Sequence, residues 1–421
     1  SISQARAAQA LHSMGKMDEL NVNLGLPARL TDPFLRQRAL GRRMLAVLSA
    51  SALPLEVVLF RLLDALPCRF RHAVIVAAWW LWLALHRALP ARAVRRGLAW
   101  DMSLEAHALS NVFWWARLVP ITIRRLRFAL GQMDGTCPPS RQLSMEPVNV
   151  QERGLRGLYL HLSREEQPCV LFWIFGGAFA GGGVRPTAGM AERYGRALGC
   201  DVFLVDMRLC PEHTIQDAFA DACRGYEWLL SRTPPERIVV YGLSSGGGVA
   251  ARVLQLARGQ DESCASIFAS PTPLPQPAGA VLCGPFLRYT AACGSMLNNA
   301  RVDLVVNQSV LELIEPLMGT FCGGDDLREK CSPLSHDCAG LCPLLVSAST
   351  HEVCIDEDVE FANKAKAAGV HVDLALHEHM PHAFQWMPGF LPEAAKAEEE
   401  IVSWIRERGP AWRGRGPEAA P

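Results

Sequence analysis

The chain has no Cys-x-x-Cys pair, no His-Glu-x-x-His segment and no uninterrupted apolar run near the roughly 20 residues that a bilayer-spanning helix requires. Its 14 cysteines are scattered, and Cys338 and Cys342 lack a second pair at zinc-binding spacing. Most are read as small buried residues, and they leave the redox compartment undetermined. His377-Glu378-His379 would need a histidine where Pro381 stands, so a helical zinc site is not expected. The Gly-rich stretch Gly176–Gly183 is not followed by a lysine, which excludes a phosphate loop. There is no internal repeat, no nucleic-acid module and no clear secretory signal.

Against these absences stands Gly242-Leu243-Ser244-Ser245-Gly246, set between the apolar run Ile238–Tyr241 and the small residues Gly247–Ala251. It reads as strand, sharp turn, helix. Such a turn exposes a serine, and its glycines let neighbouring backbone pass close. Ser244 is therefore the candidate nucleophile, and the Ser245 N–H at the helix start a candidate oxyanion donor. Cys169–Phe175 reads as a buried strand running into Gly176-Gly177-Ala178, about 70 residues before the serine. The rest of an oxyanion hole is expected there, from the N–H groups of Gly177 and Ala178.

Two further groups complete the constellation. Glu352 lies just past the short apolar strand Pro343–Ser347, and His382 sits in a loop after the alternating stretch His371–Leu376. An imidazole can take the serine proton, and a carboxylate fixes its tautomer. Asp356 and Asp358 compete with Glu352, and His377 and His379 with His382. Glu352 is preferred because the strand ends just before it. His382 is preferred because Met380-Pro381 launches a loop able to reach the serine. Asp206–His213 is unusually charged for a segment after so apolar a strand. It is either a polar network bracing the oxyanion loop and the serine turn from below, or a solvated turn.

Together these stretches resemble the hormone-sensitive-lipase-like group of α/β-hydrolases, which includes arylacetamide deacetylases and many microbial carboxylesterases. Gly242–Gly247 is similar to the group's G-D-S-A-G-G, with Leu243 and Ser245 as departures. Asp206–His213 with Asp221 is similar to its D-Y-R-L-A-P-E-H and following aspartate, Glu352–Asp356 to its D-x-L-x-D, and His382-Ala383-Phe384 to its H-x-F. Phe175-Gly176-Gly177-Ala178 departs most from its H-G-G-G, losing the histidine and the last glycine. The resemblance covers roughly Val148 to Arg408. It implies an α/β-hydrolase fold, a mostly parallel sheet flanked by helices, with an N-terminal helical cap or extension.

The strand and helix patterns alternate along the same stretch, as such a sheet requires. Strands are expected near 156–162, 169–175, 201–206, 237–241, 278–283, 343–348 and 371–376. Helices are expected near 187–198, 216–231, 245–258, 356–368 and 391–408. The Gly-, Pro- and Ser-rich stretch Gly131–Glu146 marks a domain boundary, giving an N-terminal region 1–135, a catalytic domain 136–408 and a disordered tail 409–421.

Net charge is zero but unevenly spread. Residues 1–130 hold 18 Lys and Arg against 7 Asp and Glu, and the remainder 24 against 35. Ala73–Leu85 is apolar for 13 residues, contains Trp79, Trp80 and Trp82, and ends in His86-Arg87. Ser51–Leu63 is a similar piece interrupted by Pro54 and Arg61, and Phe113-Trp114-Trp115 is followed by Arg117. Residues 1–130 are expected to form a helical cap that docks peripherally on an anionic membrane, or else a helical domain packed wholly on the core.

The expected activity is hydrolysis of acyl or lipid-like carboxylic esters by Ser244, His382 and Glu352, with Gly177, Ala178 and Ser245 holding the oxyanion. No cofactor, metal or nucleic acid is expected, the partner being a small-molecule ester. The location is expected to be cytoplasmic or peripheral to a membrane, and the oligomeric state is not legible. Alternatives on the same residues are an inactive binding protein, an acyltransferase or an amidase.

Overall fold

Strands without charge at their centres can be covered on both faces, and these form the middle of one eight-stranded sheet. Its members are β1 (Ser144–Val150), β2 (Leu155–His161), β3 (Val170–Ile174), β4 (Asp201–Val205), β5 (Ile238–Leu243), β6 (Gly279–Cys283), β7 (Leu344–Ser349) and β8 (Val372–His377). Their spatial order is β1-β2-β4-β3-β5-β6-β7-β8. Strands β3 to β8 run parallel, while β2 is antiparallel to both β4 and β1. Every residue of β3 to β7 is buried. Trp173 faces Leu204 on one side and Tyr241 on the other, and the Trp173 and Tyr241 rings stack at 4.1 Å.

This computed structural model describes residues 66–88, 102–116, 121–162, 168–259, 268, 270, 273–290 and 294–408. The expected apolar piece at residues 51–63 and the tail at 409–421 lie outside the described residues. Helices α1 (Cys68–Ala88), α2 (Leu104–Ala116) and α3 (Ile123–Gly131) precede the sheet. Helices α4 (Val184–Leu198), α5 (Ile215–Leu230) and α6 (Ser245–Ala257) alternate with its strands. Helix α5 starts one residue earlier than expected because Thr214 and Asp217 close a reciprocal capping box.

Between β6 and β7 the chain inserts four short helices: α7 (Gly294–Asn299), α8 (Gln308–Ile314), α9 (Met318–Cys322) and α10 (Arg328–Cys331). The sequence patterns show none of them, since 4 to 7 residues are too few to establish a helical period. After them come α11 (Ile355–Ala367) and α12 (Pro392–Arg408). Strand β1 also escapes the sequence reading. It is an edge strand carrying Pro147, with most residues exposed, and its first residues fall in the stretch read as a boundary. Helix α1 extends beyond Ala73–Leu85 because Arg69, Arg71 and His72 join its first turns.

Candidate active site

Strands β3, β5, β6, β7 and β8 all end at the same edge of the sheet, where open α/β sheets carry their sites. Ser244 follows β5 with φ 58° and ψ −126°, a strained left-handed conformation for a residue with a side chain. The strain is held by neighbours: Ser244 N–H donates to Cys283 C=O at 2.8 Å, and its C=O accepts from Phe286 N–H at 3.1 Å. The flanking glycines are required by contact. A Cβ on Gly246 would lie 2.3 Å from Ile174 O, and one on Gly242 2.5 Å from Gly246 O.

His382 Nε2 lies 2.7 Å from Ser244 Oγ, and His382 Nδ1 lies 2.7 Å from Glu352 Oε2. His382 and Glu352 are both buried. The other Glu352 oxygen accepts from Ser349 N–H at 2.5 Å, which fixes the carboxylate at the end of β7. Burial, the largest influence on His382, lowers its pKa. The Glu352 hydrogen bond and charge, with the charge of Asp303, outweigh burial and hold it above the usual imidazole value. Three of the four competing residues are engaged elsewhere. Asp356 accepts from Ser295 N–H, His377 Nε2 meets Ser347 Oγ, and His379 Nδ1 meets His351 Nε2.

Two residues at the site carry no sequence signal. Asp303, in the insertion, is fully buried. Its Oδ1 accepts from Val305, Val306 and His382 N–H at 2.9, 3.1 and 3.2 Å, and its Oδ2 accepts from Val353 N–H at 3.1 Å. One carboxylate thus holds the backbones of both the histidine and the residue after Glu352. Gly284, at φ 48°, is the second. A Cβ there would stand 2.5 Å from Glu352 Oε2 and 3.3 Å from His382 Cε1.

The oxyanion loop differs from expectation at one residue. Gly177 N–H donates to Ser245 Oγ at 3.0 Å, so it is committed to a side chain beneath the loop. Phe179 N–H reaches the same oxygen at 3.3 Å. Ser245 and the buried Phe175 line a void of about 10 Å³ with Phe179, Met207 and Val249. A hydroxyl and an aromatic ring therefore anchor the loop where the resembling group has histidine. Ala178 (φ 54°) is left as the loop's candidate donor. It is joined by Ser245 N–H in the first turn of α6, where no helical acceptor exists.

The charged segment after β4 is a brace. Arg208 clasps the buried Asp221 through Nε and Nη2, each at 2.9 Å, and its backbone N–H donates to the same carboxylate at 2.9 Å. Cys210 N–H donates to Phe179 C=O at 2.9 Å. Arg127 of α3, unforeseen from sequence, donates to Ala180 C=O at 2.6 Å and Cys210 C=O at 2.8 Å. Its ion pair with Glu212 holds that carboxyl down to about 2. Among the described residues no three His, Cys, Asp or Glu side chains are placed to hold a metal ion.

A model of the alpha/beta hydrolase fold matches residues 171–386, just over half the chain, a span that holds Ser244, Glu352, His382 and the oxyanion loop but not Arg127. The chain belongs to the α/β-hydrolase family. Within that family this hydrolase falls in the hormone-sensitive-lipase-like esterase group. It is 28% identical over 242 residues to an esterase of Mycobacterium tuberculosis, LipU, covering 56% of this chain and 77% of that one. It is 26% identical over 282 residues to an esterase of Acinetobacter venetianus, covering 66% and 87%. The crystal structure of an esterase from the bacterial hormone-sensitive lipase family superposes with a TM-score of 0.64 at 28% identity, covering 73% of this hydrolase and 98% of that chain.

Proposed function

We propose that this protein is a serine carboxylesterase acting on acyl or lipid-like esters. The observation that carries the reading is the continuous hydrogen-bonded line Ser244–His382–Glu352, two contacts of 2.7 Å each. In the first step Ser244 Oγ bonds to the ester carbonyl carbon while its proton passes to His382 Nε2. The carbonyl oxygen takes the negative charge and is met by the N–H groups of Ala178 and Ser245. Collapse of that intermediate breaks the ester C–O bond, and His382 returns the proton to the departing alkoxide. Water, deprotonated by His382, then attacks the acyl-serine and frees the acid. Glu352 keeps Nδ1 protonated and stabilises the imidazolium throughout.

The same reading puts the protein in peripheral contact with an anionic membrane, given the basic bias of residues 1–130. A fluorophosphonate probe with mass-spectrometric location of the adduct tests the catalytic part. Labelling at Ser244, lost in Ser244→Ala, is expected. A folded protein that does not label would be a binding protein on a hydrolase scaffold.

A further inference from the structure

Helix α1 is amphipathic the wrong way round for a surface helix. Apart from Arg69 and Arg87, its polar side chains face the body of the protein. Arg71 pairs with Asp134 at 2.7 Å and donates to Gln132, His72 Nδ1 meets Gly135 C=O, and His86 meets Asn111. Trp82 Nε1 donates to Ala108 C=O at 2.9 Å. The opposite side is exposed and apolar. Phe70, Val74, Trp80, Leu81 and Leu85 are 49–65% exposed, and only alanines stand between them. At about 100° per residue these positions fill an arc of about 160° over five turns, in which the indole N–H of Trp80 is the one polar side-chain group. Arg69 and Arg87 fall on one edge of that arc, beside Trp80.

We propose that this face of α1 lies in the plane of an anionic phospholipid bilayer, with the helix seated at the level between headgroups and acyl chains. At 21 residues the helix is long enough to cross a bilayer. Crossing would carry the ion-paired Arg71, His72 and His86 into hydrocarbon or strip them from their partners. In-plane seating keeps every one of those contacts and buries only the apolar arc. Tryptophan at the boundary with arginine beside it is the arrangement that suits an interface with phosphate headgroups. By sequence, positions 1–130 carry 18 basic against 7 acidic residues, the sign of charge that an anionic surface attracts.

The docked face is coupled to the catalytic edge through one layer of side chains. Trp79 packs edge-on against Phe390, with ring centroids 5.7 Å apart. It also packs on the cluster containing Met380 and Phe384, which bracket His382. Resting on the esterase reading, this assigns the substrate class as esters that reside in the bilayer itself.

The test is flotation of the full chain, carrying Ser244→Ala, with phosphatidylcholine vesicles that do or do not contain phosphatidylserine. Flotation that increases with phosphatidylserine is expected. Adding Phe70→Glu and Leu81→Glu should lower the partition coefficient by about 100-fold or more, from the apolar burial lost. With Ser244 intact, the same double substitution should leave hydrolysis of a soluble short-chain ester unchanged and lower kcat/KM on a vesicle-borne long-chain ester by at least about tenfold. A protein that floats but hydrolyses nothing would refute the esterase reading and leave the docking intact. Equal flotation of the double variant would overturn the assignment of this face. So would a parent chain that stays with the protein fraction. A dimer broken by the double variant would then give the face to a second copy.

Discussion

Replacing Asp303 with asparagine changes one atom and one charge at the back of the site. Three N–H groups converge on Oδ1 and one on Oδ2, all within 3.2 Å. Asparagine can present its oxygen to the three and must then turn its NH₂ toward Val353 N–H. A buried donor is left facing a donor, and a charge-assisted bond to His382 N–H is weakened. A lost bond of this kind costs about 1.5–3 kcal/mol. If the loss is expressed as misplacement of His382 and Glu352, kcat falls about 10- to 150-fold. A stability effect alone would lower Tm and leave kcat near its original value.

A second readout separates the two. The charge of Asp303 is one of the influences that raise the His382 pKa, and only neutral His382 can accept the Ser244 proton. Removing that charge lowers the pKa, so the acid limb of the kcat/KM profile moves to lower pH. The assay is hydrolysis of a soluble p-nitrophenyl ester across the acid limb, with Tm measured alongside. An Asp303→Asn enzyme with kcat within about twofold of the parent and an unmoved acid limb would refute the positioning role.

Glu352→Gln should cost kcat about four orders of magnitude by permitting the wrong imidazole tautomer. A variant with near-full activity would remove Glu352 from its role. Gly284→Ala places a methyl 2.5 Å from Glu352 Oε2 and strains a residue at φ 48°. Displacing the acid should lower kcat about 100-fold with KM little changed, measured on the same soluble ester. Glu357 is fully buried, and burial pushes its carboxyl up to about 8. The unfolded chain loses this proton near the ordinary value of 4.5, while the folded chain retains it to about 8, so this group's contribution to stability declines as pH rises between those values. Melting temperatures taken across that window should fall less for Glu357→Gln than for the parent; parallel slopes would contradict the burial argument.

The legible parts of the molecule are those whose cause is local. Strands β3 to β7 are short runs without charge at their centres, and a run buried on both faces announces itself by composition. Ser244, Glu352 and His382 are legible as candidates because each follows a strand end and carries a distinctive side-chain chemistry, and the fold brings the three into one hydrogen-bonded line. What stayed hidden depends on partners distant in sequence. Asp303 is a lone aspartate in an insertion of short helices, and its role exists only once the loops of Glu352 and His382 fold against it. Arg127 reads as one basic residue among many until α3 meets Ala180. The sequence draws attention to the Ser245 amide, whereas the Ser245 hydroxyl takes the Gly177 N–H and leaves Ala178 as the loop's candidate donor. Helix α1 shows in the sequence only as the apolar run Ala73–Leu85, and Arg71 and His72, just ahead of that run, help hold it to the body.

The path from Arg127 to Ala180 bears on where the enzyme can be cut. The family match begins at residue 171, and Gly131–Glu146 looks like a natural place to trim the chain to a minimal catalytic fragment. A fragment starting there would keep Ser244, Glu352 and His382. It would lose the guanidinium that ties Ala180 and Cys210 together, and Leu130, which packs so closely on Gly181 that a Cβ there would lie 2.7 Å from its methyl group. The loop that offers Ala178 N–H to the substrate would then have one wall missing. The smallest autonomous hydrolase in this chain is therefore larger than its homology, and anything that pulls α3 away from the body acts on the reaction without touching a catalytic residue.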